Sequence, residues 1–205
     1  MRPTALLSAV LATLAGAAWL AAEESAWYVG HHPKYVNIQF ESVTDLETII
    51  GTANQAKGEI KLDLDKGTGS VSLSVPVASM KTGIDMRDEH MRSEKWLDAA
   101  KYPDITFVSK KAAVDKAKGT AQVTGDFTCH GVTKEMTVTV SWKAVPAEAA
   151  AKAQFPKGDW VRFTTEFDVA LKDYGITNAG GGKVADSWKI RMTMFAGSEK
   201  PEEKK

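Results

Sequence analysis

Apolar and polar residues alternate along this chain again and again, and that period constrains the fold more than any other feature. Tyr35-Val36-Asn37-Ile38-Gln39-Phe40 puts Val36, Ile38 and Phe40 on one face; residues 58–65 do the same with Ile60, Leu62 and Leu64, and residues 70–75 with Val71 and Leu73. Met136-Thr137-Val138-Thr139-Val140-Ser141-Trp142 and Trp188-Lys189-Ile190-Arg191-Met192-Thr193-Met194 repeat the pattern. Successive side chains of an extended strand point to opposite sides, so each run predicts a strand with one face buried and one wet. Gly67-Thr68-Gly69 between two runs predicts a hairpin. Runs at Tyr35, Ile60, Val71, Ile105, Val123, Val138, Phe163 and Ile190 predict about eight strands with mostly short connections. Eight antiparallel strands can close into a barrel, filled by side chains or holding a small ligand, and a two-sheet sandwich satisfies the same pattern.

Two segments break the alternation. Residues 85–100 are poor in β-branched residues, and Ser93 stands where an N-cap would open a second short helix with Trp96 and Leu97 as its apolar side. Pro103 then forces Tyr102 to be extended and restarts the sheet. The alanine-rich stretch between Pro146 and Pro156 suits one or two helical turns.

Twenty-six basic residues balance twenty-six acidic ones, which removes any electrostatic case for nucleic acid or an acidic substrate. The single cysteine, Cys129, excludes an intrachain disulfide framework, and the absence of Cys-x-x-Cys-His excludes covalently attached c-type haem. At the start, Arg2 precedes the apolar run of residues 5–14 and the small residues Ala15-Gly16-Ala17. Those are the parts of a secretory signal, assigned to residues 1–22, with the mature N-terminus between Ala18 and Glu23. An uncleaved anchor is the competing reading, since residues 5–22 are nearly long enough to span a bilayer. One barrel domain is expected over residues 23–198, followed by a charged, disordered tail over residues 199–205.

The stretch Thr82-Gly83-Ile84-Asp85-Met86-Arg87-Asp88-Glu89-His90-Met91-Arg92-Ser93, then Glu94-Lys95-Trp96-Leu97-Asp98 and Tyr102-Pro103-Asp104-Ile105-Thr106-Phe107-Val108-Ser109, is followed by Gly125-Asp126-Phe127-Thr128-Cys129-His130-Gly131-Val132-Thr133-Lys134. In order and spacing these blocks resemble the YceI-like family of periplasmic, lipocalin-like polyisoprenoid-binding proteins. The resemblance covers most of the chain from Trp27 to Gly197 and implies an all-β, single antiparallel, roughly eight-stranded lipocalin-like barrel with a short helical excursion. It also implies a periplasmic location and an apolar ligand, a polyisoprenoid or an isoprenoid quinone. Departures concern the ends. Gly30-His31-His32-Pro33 replaces the family's Asp-x-x-His-Ser opening, Glu41-Ser42-Val43-Thr44 lacks a later histidine, Leu97 replaces an aromatic, and Leu171-Lys172 stands where an arginine is common. They bear on ligand identity rather than on fold.

Catalytic chemistry finds little support. Cys129 and His130 are neighbours, so on a strand their side chains diverge and cannot pair as nucleophile and base. No Gly-x-Ser-x-Gly elbow occurs. Ala179-Gly180-Gly181-Gly182-Lys183 looks like a phosphate loop, but Thr177 replaces its first glycine and Val184 its Ser/Thr, so a flexible loop is the better account. His31, His32, His90 and His130 lack metal-ligand spacing, and no stoichiometric metal is expected. His31-His32 reads as an exposed pair, and Thr128 and Thr133 read as turn chemistry around Gly131.

In a closed barrel the alternation turns Val36, Ile38 and Phe40 inward, with Ile60, Leu62, Val71 and Leu73. Phe107, Phe127, Val138 and Val140 follow, as do Phe163, Phe167, Ile190, Met192 and Met194. Arg191 and Thr193 face out. The inward set is the candidate ligand-binding wall, and its methionines and phenylalanines adapt to a variable chain. Arg87 and His90 are candidates for the mouth or a lipid headgroup; alternatively Arg87 and Asp88 pair with each other and with backbone groups to fix the connection. The expectation is a carrier that is not an enzyme, with no covalent cofactor, transient membrane contact and a monomeric or homodimeric state. A barrel filled by its own side chains, serving as a scaffold or stress protein, and a His-based metal protein or enzyme are the alternatives.

Overall fold

A computed structural model describes residues 24–179 and 182–202; the expected signal segment, Gly180-Gly181 and the last three residues lie outside that span. Ten strands form one antiparallel sheet: β1 (Ser25–Val29), β2 (Val36–Val43), β3 (Thr48–Ala53), β4 (Lys57–Asp63), β5 (Thr68–Pro76), β6 (Asp104–Asp115), β7 (Thr120–Cys129), β8 (Val132–Ala144), β9 (Trp160–Ala170) and β10 (Ser187–Gly197). Two helices interrupt them, α1 (Asp85–Arg92) and α2 (Ala147–Lys152).

The order β1-β4-β5-β6-β7-β8-β9-β10 closes into a ring of eight strands when Tyr28 of β1 meets Gly197 of β10. β2 lies on the same edge of β10, paired through Lys189↔Glu41 to Met194↔Val36, and β3 pairs with β2. β1 and β2 are therefore two halves of one stave, separated by Gly30 and a 3-10 turn at Pro33–Tyr35. All eight predicted runs are strands. β1 is too short to show a period. β3 hides its period, because Ile49 and Ile50 are adjacent and Gly51 has no side chain. Leu64 leaves its strand for the β4–β5 turn, where Asp63 takes the Lys66 amide at 2.8 Å.

Outward faces are polar and laddered. Arg191 reaches Glu41 at 2.6 Å and Glu166 at 2.9 Å, Lys110 reaches Asp126 at 2.6 Å, and the Thr124 and Thr137 hydroxyls meet at 2.7 Å. A membrane-spanning barrel is apolar outside, so this one is turned the other way. Its apolar core faces inward and includes Trp27, Ile60, Leu62, Phe127, Val161 and Phe163. A second aromatic cluster sits where the α2 connection meets the barrel: Phe155 packs against Tyr35, Trp160 and Phe195 at centroid distances of 4.5, 4.7 and 5.3 Å. His31 stacks on Trp160 at 4.7 Å, so it is only half exposed, because the aromatic cluster draws it in.

The long β5–β6 connection caps the end of the barrel shared with the β2–β3 turn and the β9–β10 loop. Asp88 of α1 is buried, and its carboxylate accepts the Thr82 amide at 2.6 Å and hydroxyl at 2.7 Å. Arg87 pairs with Glu47 of the β2–β3 turn at 3.0 Å, not with Asp88, because the two side chains leave α1 in different directions. Ser93 is not an N-cap. It ends α1, its hydroxyl donates to the His90 carbonyl at 2.7 Å, and turns rather than a second helix carry the chain onward. Leu97 is buried there with Met91, Leu171, Tyr174 and Ile176, which plugs this end of the core.

Candidate functional site

The barrel is hollow. A cavity of about 140 Å³ runs inside it, walled by every inward residue expected from the alternation except Val36. Val36 is buried in the same core but lies off the wall; Met194, its partner across β2 and β10, takes the wall position. Ile190, Met192 and Met194 face the cavity while Arg191 points to the outer ion pairs. Val71, Leu73, Ile105, Phe107, Met136 and Phe167 pack against the core yet stay only partly buried. Side chains that point inward and still keep access line a space; they do not fill it.

Several wall residues extend parities already visible in the sequence: Val75 after Leu73, Ile105 before Phe107, Ala121 and Val123 before Phe127, Met136 and Trp142 around Val138 and Val140. Met80 and Ala53 had no such signal, since the one lies in a connection and the other ends β3.

A second chamber of about 360 Å³ lies at the α1 end. Ser42, Glu47 and Ile49 contribute from the β2–β3 hairpin, Ile84, Met86, Arg87, His90 and Met91 from α1 and its approach, Lys183 and Val184 from the β9–β10 connection, and Trp188 from the start of β10. Arg87 and His90 both line this chamber, where Arg87 is paired with Glu47. The β9–β10 connection is held over this chamber by the Ala185 amide, which donates to the buried Ser42 hydroxyl at 2.9 Å, and by Asn178, which donates to the Lys95 carbonyl.

Phe40 belongs to both chambers and divides them. Its ring stacks on Trp188 at 5.2 Å with a 20° interplanar angle. It also lies over Gly51 so closely that a Cβ there would fall 2.0 Å from Phe40 Cζ. Every methionine among the described residues lines one chamber or the other: Met80, Met136, Met192 and Met194 the barrel, Met86 and Met91 the mouth.

Cys129 and His130 lie outside both chambers. Burial pushes the Cys129 thiol up to about 12, far from a reactive thiolate. His130 follows it in a left-handed turn (φ 51°), not on a strand, and its Nδ1 is 2.9 Å from the Tyr174 carbonyl oxygen. Thr128 and Thr133 pair with each other across the turn at 2.8 Å. Among the described residues no three His, Cys, Asp or Glu side chains group as metal ligands.

Charges turned outward around an adaptable apolar space define the class: a cavity-bearing antiparallel barrel of lipocalin-like form. Comparison with known proteins gives the family. Residues 28–196 match the YceI-like domain, and the chain belongs to the YceI-like family. It is 32% identical over 173 residues to a UPF0312 protein of Shewanella sp. (strain ANA-3), covering 82% of this chain and 86% of that one. The crystal structure of Burkholderia cenocepacia BcnA shares the fold with a TM-score of 0.67 at 23% identity, covering 80% of this chain and 98% of that one. A polyisoprenoid binding domain from Saccharophagus degradans does so with a TM-score of 0.59 at 15% identity, covering 85% and 99%.

Proposed function

We propose that this protein is a periplasmic carrier that sequesters a long apolar ligand, a polyisoprenoid or an isoprenoid quinone, and is not an enzyme. One observation carries the reading: a closed ring of strands, charged outside, keeps an apolar cavity lined by four methionines and five phenylalanines, side chains that repack around a flexible chain. The resting cavity, about 140 Å³, is near the roughly 150 Å³ at which an apolar protein cavity takes up benzene. A chain therefore enters by displacing adaptable side chains, and each CH₂ removed from water contributes about 0.8 kcal/mol. The likeness to a polyisoprenoid binding domain supports the same ligand class.

Uptake and release occur at a membrane in this reading. Val43, Leu46, Ile50, Ile84 and Met86 are exposed large apolar residues on the β2–β3 hairpin and the start of α1, and two of them, Ile84 and Met86, line the second chamber. Such a rim exposes on the order of a few hundred Å², less than the roughly 800 Å² per partner of a stable dimer, and suits shallow contact with a bilayer. The periplasmic assignment rests on the Arg2, apolar and small-residue order of the first 22 residues.

Organic extraction of protein purified from the periplasmic fraction, followed by mass spectrometry, tests the reading. A stoichiometric isoprenoid lipid is expected, on a chain whose intact mass begins between Ala18 and Glu23. A lipid-free protein that also takes up no added isoprenoid would leave a scaffold.

A further inference from the structure

We propose that His31 is a pH-sensitive clasp on the seam that closes the ring: neutral, it holds the end of β1 against the end of β10, and protonated, it loosens them. The clasp sits at the end of the barrel opposite α1 and does not depend on what the barrel holds.

The seam itself is weak. Tyr28↔Gly197 is the one pair joining β1 to β10, against five pairs between β1 and β4 and eleven between β9 and β10. Local opening begins where few contacts hold an element, so this join belongs to the low-stability end of the molecule. His31 lies across it. The residue follows β1 directly after Gly30, and its Nε2 is so close to Gly197 that a Cβ there would fall 2.9 Å away. Trp160, the partner of Gly197 on β9, carries the imidazole at a centroid distance of 4.7 Å and an angle of 59°. One ring therefore ties the end of β1 to both strands beyond the seam.

That ring is poorly placed to take a proton. Nε2 is buried and has no hydrogen-bond partner among the described residues. A neutral imidazole can leave one nitrogen as a bare acceptor, but a protonated one carries hydrogen on both. The hydrogen on Nε2 would then be a charged donor with nothing to accept it, which costs more than an unused lone pair. Burial accordingly holds the imidazole below its ordinary value, against the pull of the Glu199 and Tyr28 backbones.

The surrounding charges give no relief. Carboxylates near the seam are Glu59 of β4, opposite Tyr28, Asp159 before β9 and Glu199 after β10, and only the backbone of Glu199 acts on the ring. Lys57 beside Gly30, Lys200 over the Tyr28 ring and Lys34 can only oppose another positive charge. His32 is turned to its own backbone, its Nδ1 accepting the Lys34 amide at 3.1 Å. Trp160 is the one neighbour whose face attracts a cation, which makes a raised value the definite rival.

The sign of the effect follows. An open seam returns His31 to water and to an ordinary value of about 6.5. The closed seam holds it lower, so the open state takes the proton more readily. Closure is at full strength above about pH 6.5 and weakens as pH falls from there to the closed-state value, below which no more is lost.

The test is amide hydrogen exchange of the mature protein, read by NMR at Tyr28 and Gly197 and corrected for the chemical rate at each pH. Thr193, inside the β9–β10 ladder, is the reference. Protection of the seam relative to Thr193 is expected to fall about tenfold between about pH 7.5 and about pH 5. His31→Phe keeps an aromatic ring on Trp160 and should make that ratio the same at both pH values, whereas His32→Gln should leave the fall intact. Titration of the His31 imidazole in the unmutated protein should give a midpoint below the ordinary one, and it decides the matter if His31→Phe does not fold. A midpoint at or above about 6.5 overturns the proposal. So does a seam equally protected at both pH values, or a fall that persists in His31→Phe or vanishes in His32→Gln.

Discussion

Phe40 and Gly51 make one fixture from two residues. The missing side chain at Gly51 is what lets the Phe40 ring lie across the sheet and reach Trp188. Gly51→Ala therefore puts a methyl where the ring is, and overpacking of this kind typically costs about 1–3 kcal/mol. The expected result is a lower Tm and, since the ring has to move, a changed affinity for long-chain ligands over short ones; unchanged melting would mean that Phe40 is loosely held. Asp88 does a different job. Burial works to raise its carboxyl, but the Thr82 hydroxyl and amide, helped by Arg92 and Lys81, hold it below the usual range. A folded value below the unfolded one means that the stabilisation is in place above about pH 4 and is lost as pH falls through the lower folded value. Asp88→Asn should cost about 1.5–3 kcal/mol near neutrality, as hydrogen bonds to a charged group do. The variant should also lose less stability than the unmutated protein between pH 4 and 2, which melts over that range will show.

At the level of the strand, β10 offers the sharpest test of the cavity. Met192 faces the hollow with Ile190 and Met194, whereas Arg191 is held outside by Glu41 and Glu166. In a filled core Met192→Ala would cost about 2–5 kcal/mol; beside an existing cavity it should cost less. Met192→Trp should fold, fill the space and retain no lipid. Melting and lipid content of both variants decide the matter, and a Met192→Trp protein that unfolds would point to a packed interior. Parity made this element legible in the sequence, because one buried face imposes a period of two that a slip of one residue would invert. The same rule found nearly the whole barrel wall. It failed where no parity exists: in β3, with its adjacent Ile49 and Ile50, at Met80 in a connection, and across the mouth chamber, which three separate connections assemble. Ser93 misled because a serine after a helix and a serine before one look alike until the chain's direction is known. The motif around Arg87 and His90 allows a mouth or a structural role, and nothing in its spacing points to Glu47 or Trp188 as neighbours.

For the whole molecule, the polar ladders outside and the hollow inside divide the labour between solubility and binding. Most of the outer ion pairs are exposed, with Lys110, Lys189 and Arg191 reaching carboxylates across the sheet, so they are worth little individually and salt should barely move the Tm. Closure is another matter. The ring is completed when Tyr28 meets Gly197, and β2 finds its edge only along Lys189–Met194 of β10. The first stave thus waits for the last one to be made. Pairings so distant along the chain are slow to form, and until they do the free edges of β1, β2 and β9 stand open as templates for other chains. A chain ending before Ser187 should accumulate as aggregate, not as a soluble open sheet, which fractionation after expression will show. A protein built this way is vulnerable mainly during its own synthesis. Its demand on chaperones is therefore set at the seam where β1 and β2 meet β10.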